Sequence, residues 1–334
     1  SHFFCDEKKQ AIAHIKKYIE LNQDNASEIA NLSYAFDFLA QCYESENKNN
    51  NALLCYTTAT QINLSASTWH NLGLFYIKSA QHYLAEDVTN SLKLFRGAKA
   101  FLKKALDMCR TNPMFLHSMA SWYEQCVEAL EKSITDKKER QMKIGRYFQF
   151  AIKNYQTALI QCQEDDTALN NIITENLTEC FAQYGHYFYH SSDFLTAIEF
   201  YSKAIELDPI HLFAINQIGM CFFKQGNFPE ARQYFSDILS KTSDRQEKAD
   251  AYLNIACTYR MEKSWESAKN ALSDAKILAP NDTDIADEEQ ILRDSISQAS
   301  LIAAPQSIFS HQEPLPQSQL NETEEKALAK ATYN

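Results

Sequence analysis

Glycine and proline are the scarce residues of this 334-residue chain, at 6 and 7. So few of either argues against an architecture of many strands joined by tight turns and leaves packed helices as the simplest way to organise the length. No two glycines fall within six residues of each other, so no glycine-rich loop can cradle a phosphate, and no GxSxG elbow presents a nucleophilic serine. On those grounds no enzyme activity is expected. No run reaches the ~20 apolar residues that a bilayer-spanning helix needs, and no signal peptide opens the chain. It begins Ser1-His2 with no methionine, as expected of a trimmed chain, so any upstream targeting signal would lie outside it. The nine cysteines are odd in number, contain no CxxC pair and stand scattered through helical patterns, as at Cys42, Cys126, Cys180, Cys221 and Cys257. This is the usage of small buried thiols in a reducing compartment, and a cytoplasmic location is expected.

What is abundant points the same way. Apolar residues make up 45% of the chain, with 17 tyrosines and 20 phenylalanines to fill the space between helices. The net charge of -11 is unevenly spread. Residues 93–153 carry 13 Lys and Arg against 6 Asp and Glu, whereas residues 154–334 carry 13 against 27. A basic block inside an acidic chain keeps an anionic partner, nucleic acid or a membrane surface, among the readings.

The strongest pattern is an internal repeat. Phe181, Tyr184, Gly185 and Phe188 are followed by Ala197, Tyr201, Ala204 and Pro209. The pattern returns one period later as Ile215, Ile218, Gly219, Phe222, Ala231, Phe235 and Ile238. After three extra residues it returns again as Tyr252, Ile255, Ala256, Tyr259, Ala268, Leu272, Ala275 and Pro280. Bulky residues at relative positions 4, 7 and 11 make one stripe of a first helix, and position 24 does the same on a second. Small residues at positions 8, 20 and 27 let the two backbones approach, and a proline at 32 ends the second helix. Gly226-Asn227 falls where the two helices should turn, with Pro229 early in the next helix.

This spacing resembles the tetratricopeptide repeat, a helix-turn-helix unit of about 34 residues. Residues 33–66 fit it without gaps through Phe36, Leu39, Ala40, Tyr43, Ala52, Tyr56 and Ala59. Two further first helices read Trp69, Leu72, Gly73, Tyr76 and Leu116, Met119, Ala120, Tyr123, the latter opened by the cap Asn112-Pro113. Their partner residues, Ala98, Leu102, Ala105 and Ala151, Tyr155, Ala158, arrive 13 and 19 positions late. Lengthened helices or an extended connection is therefore expected there, with the long hairpins projecting from one edge. The resemblance covers residues 33–282 and implies an all-α, right-handed helical-repeat solenoid of about six hairpins with capping helices. The organisation expected is an N-terminal cap region over 1–32, repeats 1–3 over 33–162, repeats 4–6 over 163–282, and a closing helix over 283–302. A Pro/Ser/Gln-rich linker and a short helix or disordered tail fill 303–334.

In that family the first helices line a concave surface through positions 2, 5, 9, 12 and 13. Carried over, these give a candidate groove for a peptide or partner helix that includes His186, Tyr189, His190, Phe213, Asn216, Met220, Phe223, Lys224, Leu253, Arg260 and Met261. The resemblance implies that Asn216, Lys224 and Arg260 fix the register of a bound segment while the aromatic and methionine side chains bury its apolar groups. One subfamily grips acidic chaperone C-termini with a two-carboxylate clamp of Lys, Asn and Arg. Here the matching positions hold Ala182, His186, Gln217, Asp250 and Asn254, or Asp37, Gln41, Asn71, Met114 and Ser118, so that mode is not expected. The alternative to a groove-binding scaffold or adaptor is a subunit of a larger multiprotein assembly that uses the solenoid surface to associate with itself or with partners. The basic block supplies a second candidate surface, for RNA or phospholipid, in Lys99, Lys103, Lys137, Lys138, Arg140, Lys143 and Arg146. His186 and His190 are four apart on one helix, but nothing at ligand spacing accompanies them, so neither a metal nor any other cofactor is expected.

Overall fold

The structure, a computed structural model, describes residues 2–163 and 166–303, with side chains over 9–163 and 166–300. Beyond Ala303, the linker expected from 303 and the terminal helix expected over 321–334 lie outside the described residues.

Among the described residues the chain is helical and contains no strand. The helices are α1 (His2–Asn22), α2 (Ile29–Ser45), α3 (Asn49–Ile62), α4 (Ala66–Tyr83), α5 (Val88–Met108), α6 (Pro113–Ser133) and α7 (Lys137–Gln161). They continue as α8 (Thr167–His190), α9 (Phe194–Leu207), α10 (Leu212–Lys224), α11 (Phe228–Lys241), α12 (Arg245–Met261), α13 (Trp265–Leu278) and α14 (Thr283–Ala303). Taken in pairs from α2 to α13 they make six hairpins, with α1 and α14 before and after. Two compact units emerge, one ending at Cys180 and one starting at Phe181, so the division falls inside α8.

In the unit that starts at Phe181, each hairpin closes through a ring laid against a backbone or through a small residue in the same seam. A methyl group on Gly219 would lie 2.5 Å from Cε1 of Phe235, and one on Gly185 would lie 2.9 Å from Cδ1 of Tyr201. Both rings are fully buried, as are Ala197, Ala204, Ala231 and Ala268 at the other small positions. The turns share a backbone device. Ser192, Gly226 and Lys263 each take a left-handed conformation, with φ of 60°, 76° and 60°. Each occupies position 15 of its repeat. The next residue's N–H then reaches back five positions, as in Asn227 N to Phe222 O and Ser264 N to Tyr259 O, both at 2.9 Å. That pair of features is a Schellman closure of the first helix.

The unit that ends at Cys180 starts the same way. Asn47 repeats the left-handed turn at φ 58°, and Lys48 N bonds to Tyr43 O at 2.9 Å. Ile12 of α1 packs into the core made by Leu39, Tyr43, Tyr56 and Leu72. The next two hairpins are longer, and the length is in the helices. Their connections are short, and Asp87 and Asp136 cap α5 and α7 by accepting from the N–H groups of Asn90 and Glu139. The second helices α5 and α7 run 21 and 25 residues, against 14 for α3, α9, α11 and α13. The added turns form a core of their own from Ile77, Ala80, Leu84, Phe95, Trp122, Cys126 and Ala129. Trp122 Nε1 donates to Phe95 O at 2.8 Å across it, and Ser91 Oγ to Ala80 O at 2.8 Å. Asn112 caps α6 on the Phe115 N–H with Pro113 in the first turn, as its sequence implies.

Gly219→Ala should destabilise the second unit by about 1–2 kcal/mol in urea unfolding, because overpacking against an immobile ring outweighs the helix propensity gained. Lys263→Gly should do the reverse, stabilising by up to about 1 kcal/mol by relieving a left-handed non-glycine residue.

Candidate partner-binding surfaces

In the second unit, α10 and α12 and the last turns of α8 present the residues assigned to a groove. The structure divides them. Phe213 and Met261 are 43% and 45% exposed, His190 and Lys224 are exposed, and His186 and Asn216 are half-buried. Phe213, His186 and His190 form one accessible cluster with Asn216 a turn further along α10, and Lys224 and Met261 are accessible at the ends of α10 and α12. The Phe213 ring stands edge-on to His186 with centroids 5.6 Å apart and to Tyr201 at 6.2 Å. His186 and His190 share a hydrogen bond between their Nε2 atoms at 2.9 Å, and Asn254 Nδ2 donates to Asn216 Oδ1 at 2.9 Å. Burial, and then the neighbouring His190, holds His186 down at about 4, so it sits in this patch as a neutral ring.

Tyr189, Met220, Phe223 and Leu253 are buried instead. Phe223 packs on Phe228 and Tyr189 on Phe194, each on the helix that follows its own, so these side chains build the hairpins and are not open to a ligand. Arg260 needs a larger correction. The resemblance casts it as a group that fixes the register of a bound segment. It is instead 8% exposed and its Nε donates to Glu288 Oε1 of α14 at 2.5 Å. The physical reason is α14 itself, which packs on α12 and α13 and brings the carboxylate that lets a buried guanidinium be tolerated. Sequence reading misses Glu288 because it places α14 only as an end cap. Its spacing to the buried Ile285 and Leu292, at three and four residues, is the available signal.

The basic residues of the first unit separate likewise. Lys99, Lys143 and Arg146 converge, with Arg96, on one cleft between α5 and α7. Lys103, Lys137, Lys138 and Arg140 do not line it: the first three are exposed, and Arg140 Nη1 donates to Ile134 O at 3.3 Å. Lys99 lies 4.7 Å from the centroid of the Trp122 ring and 4.9 Å from that of Tyr123. Lys143 pairs with Glu139 at 2.7 Å on the helix surface.

Three polar clusters lie deeper. Asp37 is 3% exposed, accepts from Asn71 Nδ2 at 3.1 Å, and leaves Oδ1 without a partner among the described residues; burial pushes it up to about 6. Burial likewise pushes Glu124 up to about 7, where it accepts from the Tyr155 hydroxyl at 2.9 Å. His70 and Ser118 are hydrogen-bonded at 2.8 Å, a spacing that suits a base and its nucleophile. Both are shut inside the core, however, and burial holds His70 down at about 4. Among the described residues no group of three His, Cys, Asp or Glu side chains is placed to hold a metal ion, and no helix is long and apolar enough to cross a membrane.

Antiparallel α-hairpins closed by a small residue against a ring, one after another, define a helical-repeat protein. Residues 178–211 match the family model of the tetratricopeptide repeat. The C-terminal part of a TPR repeat-containing protein from Cytophaga hutchinsonii has the same fold, with a TM-score of 0.55 at 16% identity over 85% of this chain and 95% of that one. A tetratricopeptide repeat protein from Parabacteroides merdae aligns over 88% and 95% of the two chains at 11% identity and a TM-score of 0.41. RNA polymerase-associated protein CTR9 of Caenorhabditis elegans is 34% identical over 79 residues, which are 24% of this chain and 7% of that protein. Residues 178–211 thus carry a tetratricopeptide repeat, and the described chain has the all-α helical-repeat fold of proteins built from that unit.

Glu288→Ala should cost about 3 kcal/mol in urea unfolding, because Arg260 would be left buried without its counter-charge; Arg260→Met with Glu288→Leu should recover most of the loss. Asp37 carries a pH signature. Its carboxyl is raised from 3.8 to about 6, so the folded state binds the proton more tightly than the unfolded one. The associated stability is complete below 3.8 and is lost as pH rises through about 6. Asp37→Asn should flatten that window and stabilise the protein at pH 7 by about 2 kcal/mol, read from unfolding curves at pH 4 and pH 7.

Proposed function

We propose that this protein is a non-catalytic scaffold that holds a partner protein, taking a peptide or helix against the exposed face of α10, α12 and the end of α8. The observation that carries this reading is the accessible cluster of Phe213, His186 and His190, with Asn216 one turn on from Phe213 and Met261 a further exposed apolar side chain on α12. Phe213 and Met261 each stand more than two-fifths exposed, and the groups beside Phe213 are hydrogen-bonding side chains. Water is released when a partner's apolar side chain covers Phe213 and Met261, at roughly 25 cal/mol per Å² buried. Asn216, Asn254 and the histidine pair then select its register through hydrogen bonds, which is the division of labour by which helical grooves bind extended or helical segments. With His186 neutral, the patch is suited to an apolar segment with few charges. Micromolar affinity, roughly -8 kcal/mol, is the scale such a site supports.

Affinity capture from a cell extract tests the reading. Wild type and Phe213→Ser/Met261→Ser are compared at low and high salt, both changes being at exposed positions that leave the hairpins intact. A partner retained at high salt by wild type and lost by the variant is the expected outcome. The same captured set from both proteins would remove this face as the binding surface.

A further inference from the structure

In the unit that ends at Cys180 the helix α6 packs against α5 on one side and α7 on the other. A cleft of about 560 Å³ opens above it between them. Its floor is apolar, made by Trp122, Cys126 and Leu130 of α6 with Phe95 of α5. Phe150, 47% exposed, stands at its edge. Four cations border it, two from each bank: Arg96 and Lys99 on α5, and Lys143 and Arg146 on α7. No Asp, Glu, Asn or Gln is among its lining residues. Arg96 and Arg146 form no ion pair among the described residues, and the pair that Lys143 makes with Glu139 is a half-exposed surface contact that a ligand can displace at little cost. Lys99 holds its ammonium over the Trp122 ring, where a ligand carboxylate would meet the charge beside an apolar wall.

This arrangement discriminates among anions. A nucleobase's amino groups would find only the Ser133 and Tyr147 hydroxyls as side-chain acceptors among the polar lining residues, since the walls carry no carboxylate or amide. A fatty acid has one carboxylate, and the cations stand on two opposite banks. A membrane surface is broad, whereas these charges converge on a recess. The ligand that matches both features has an apolar centre with negative charge on either side of it. Burying an aromatic or branched side chain would desolvate the floor, and the flanking carboxylates would pair with guanidinium forks on α5 and α7. We propose that the cleft is a second binding site, for a segment of a partner protein in which one or two bulky apolar residues are flanked on both sides by Asp or Glu. It lies on different helices from the face proposed above, and its ligand has the opposite character, strongly acidic where the other is nearly uncharged.

Selection of a random dodecapeptide display library against the full chain, followed by titration of enriched peptides carrying a fluorescent label, tests this. Peptides with an apolar pair between acidic flanks should be enriched. Arg96→Ala/Arg146→Ala should weaken them at least tenfold, and Phe150→Ser several-fold, with affinity falling as salt is raised. All three positions are exposed, and circular dichroism of each variant is the check that its helices are kept. Phe213→Ser/Met261→Ser should leave these peptides bound, so failure of the first proposal and of this one read out separately. Enrichment only of peptides without acidic flanks, or unchanged binding by the double arginine variant, would overturn the proposal. So would decanoate or an oligo-dT that binds the cleft in the same titration when no acidic peptide does.

Discussion

Every hairpin here depends on how closely two helix backbones can approach, and that distance is set by what stands at the eighth position of the first helix. Where it is glycine, as at Gly73, Gly185 and Gly219, the side chain of Leu102, Tyr201 or Phe235 fills the place a methyl group would take. Where it is alanine, as at Ala40, Ala120 and Ala256, the methyl group is itself fully buried in the same seam. Interiors are packed too densely for a larger group to be absorbed there. In four of the six hairpins a left-handed residue, Asn47, Ser192, Gly226 or Lys263, ends the first helix and redirects the chain within a very short connection, whereas the two long hairpins turn without one.

The repeat is legible in the sequence because it is local: a stripe of bulky residues, three small ones and a turn all fall within a single period. The six hairpins and their pairing follow from that alone. What is not legible depends on helices far apart in sequence. Arg260 reads as a surface cation at its repeat position, and only the arrival of α14, 28 residues on, turns it into half of an interior ion pair. Tyr189, Met220, Phe223 and Leu253 read as groove residues, but helices packed beside them narrow the open stripe to a few positions. The late arrival of Ala98 and Ala151 in their repeats announces that something is inserted, without saying whether it is loop or helix. The Trp122 indole bonded to the Phe95 carbonyl shows why helix is the outcome: the added residues have a core to join.

The two candidate surfaces differ in the physics they offer. The patch around Phe213 and His186 is aromatic and nearly neutral, so contact there is governed by apolar area and by a few directional hydrogen bonds. The cleft between α5 and α7 places cations around an apolar floor, so attraction acts before contact and the fit of the centre decides what stays. The two surfaces therefore suit chemically distinct segments.

The long hairpins also constrain how such a chain can change in length. In α4 and α5, and again in α6 and α7, the extra turns lie on both arms and face each other across one shared core. Adding a turn to one arm alone would leave apolar side chains facing water, or would slide the closing contact out of step. Length differences between neighbouring repeats are therefore expected to accumulate as coupled insertions on either side of a turn, so that a change in the gene at one site creates the tolerance for its counterpart.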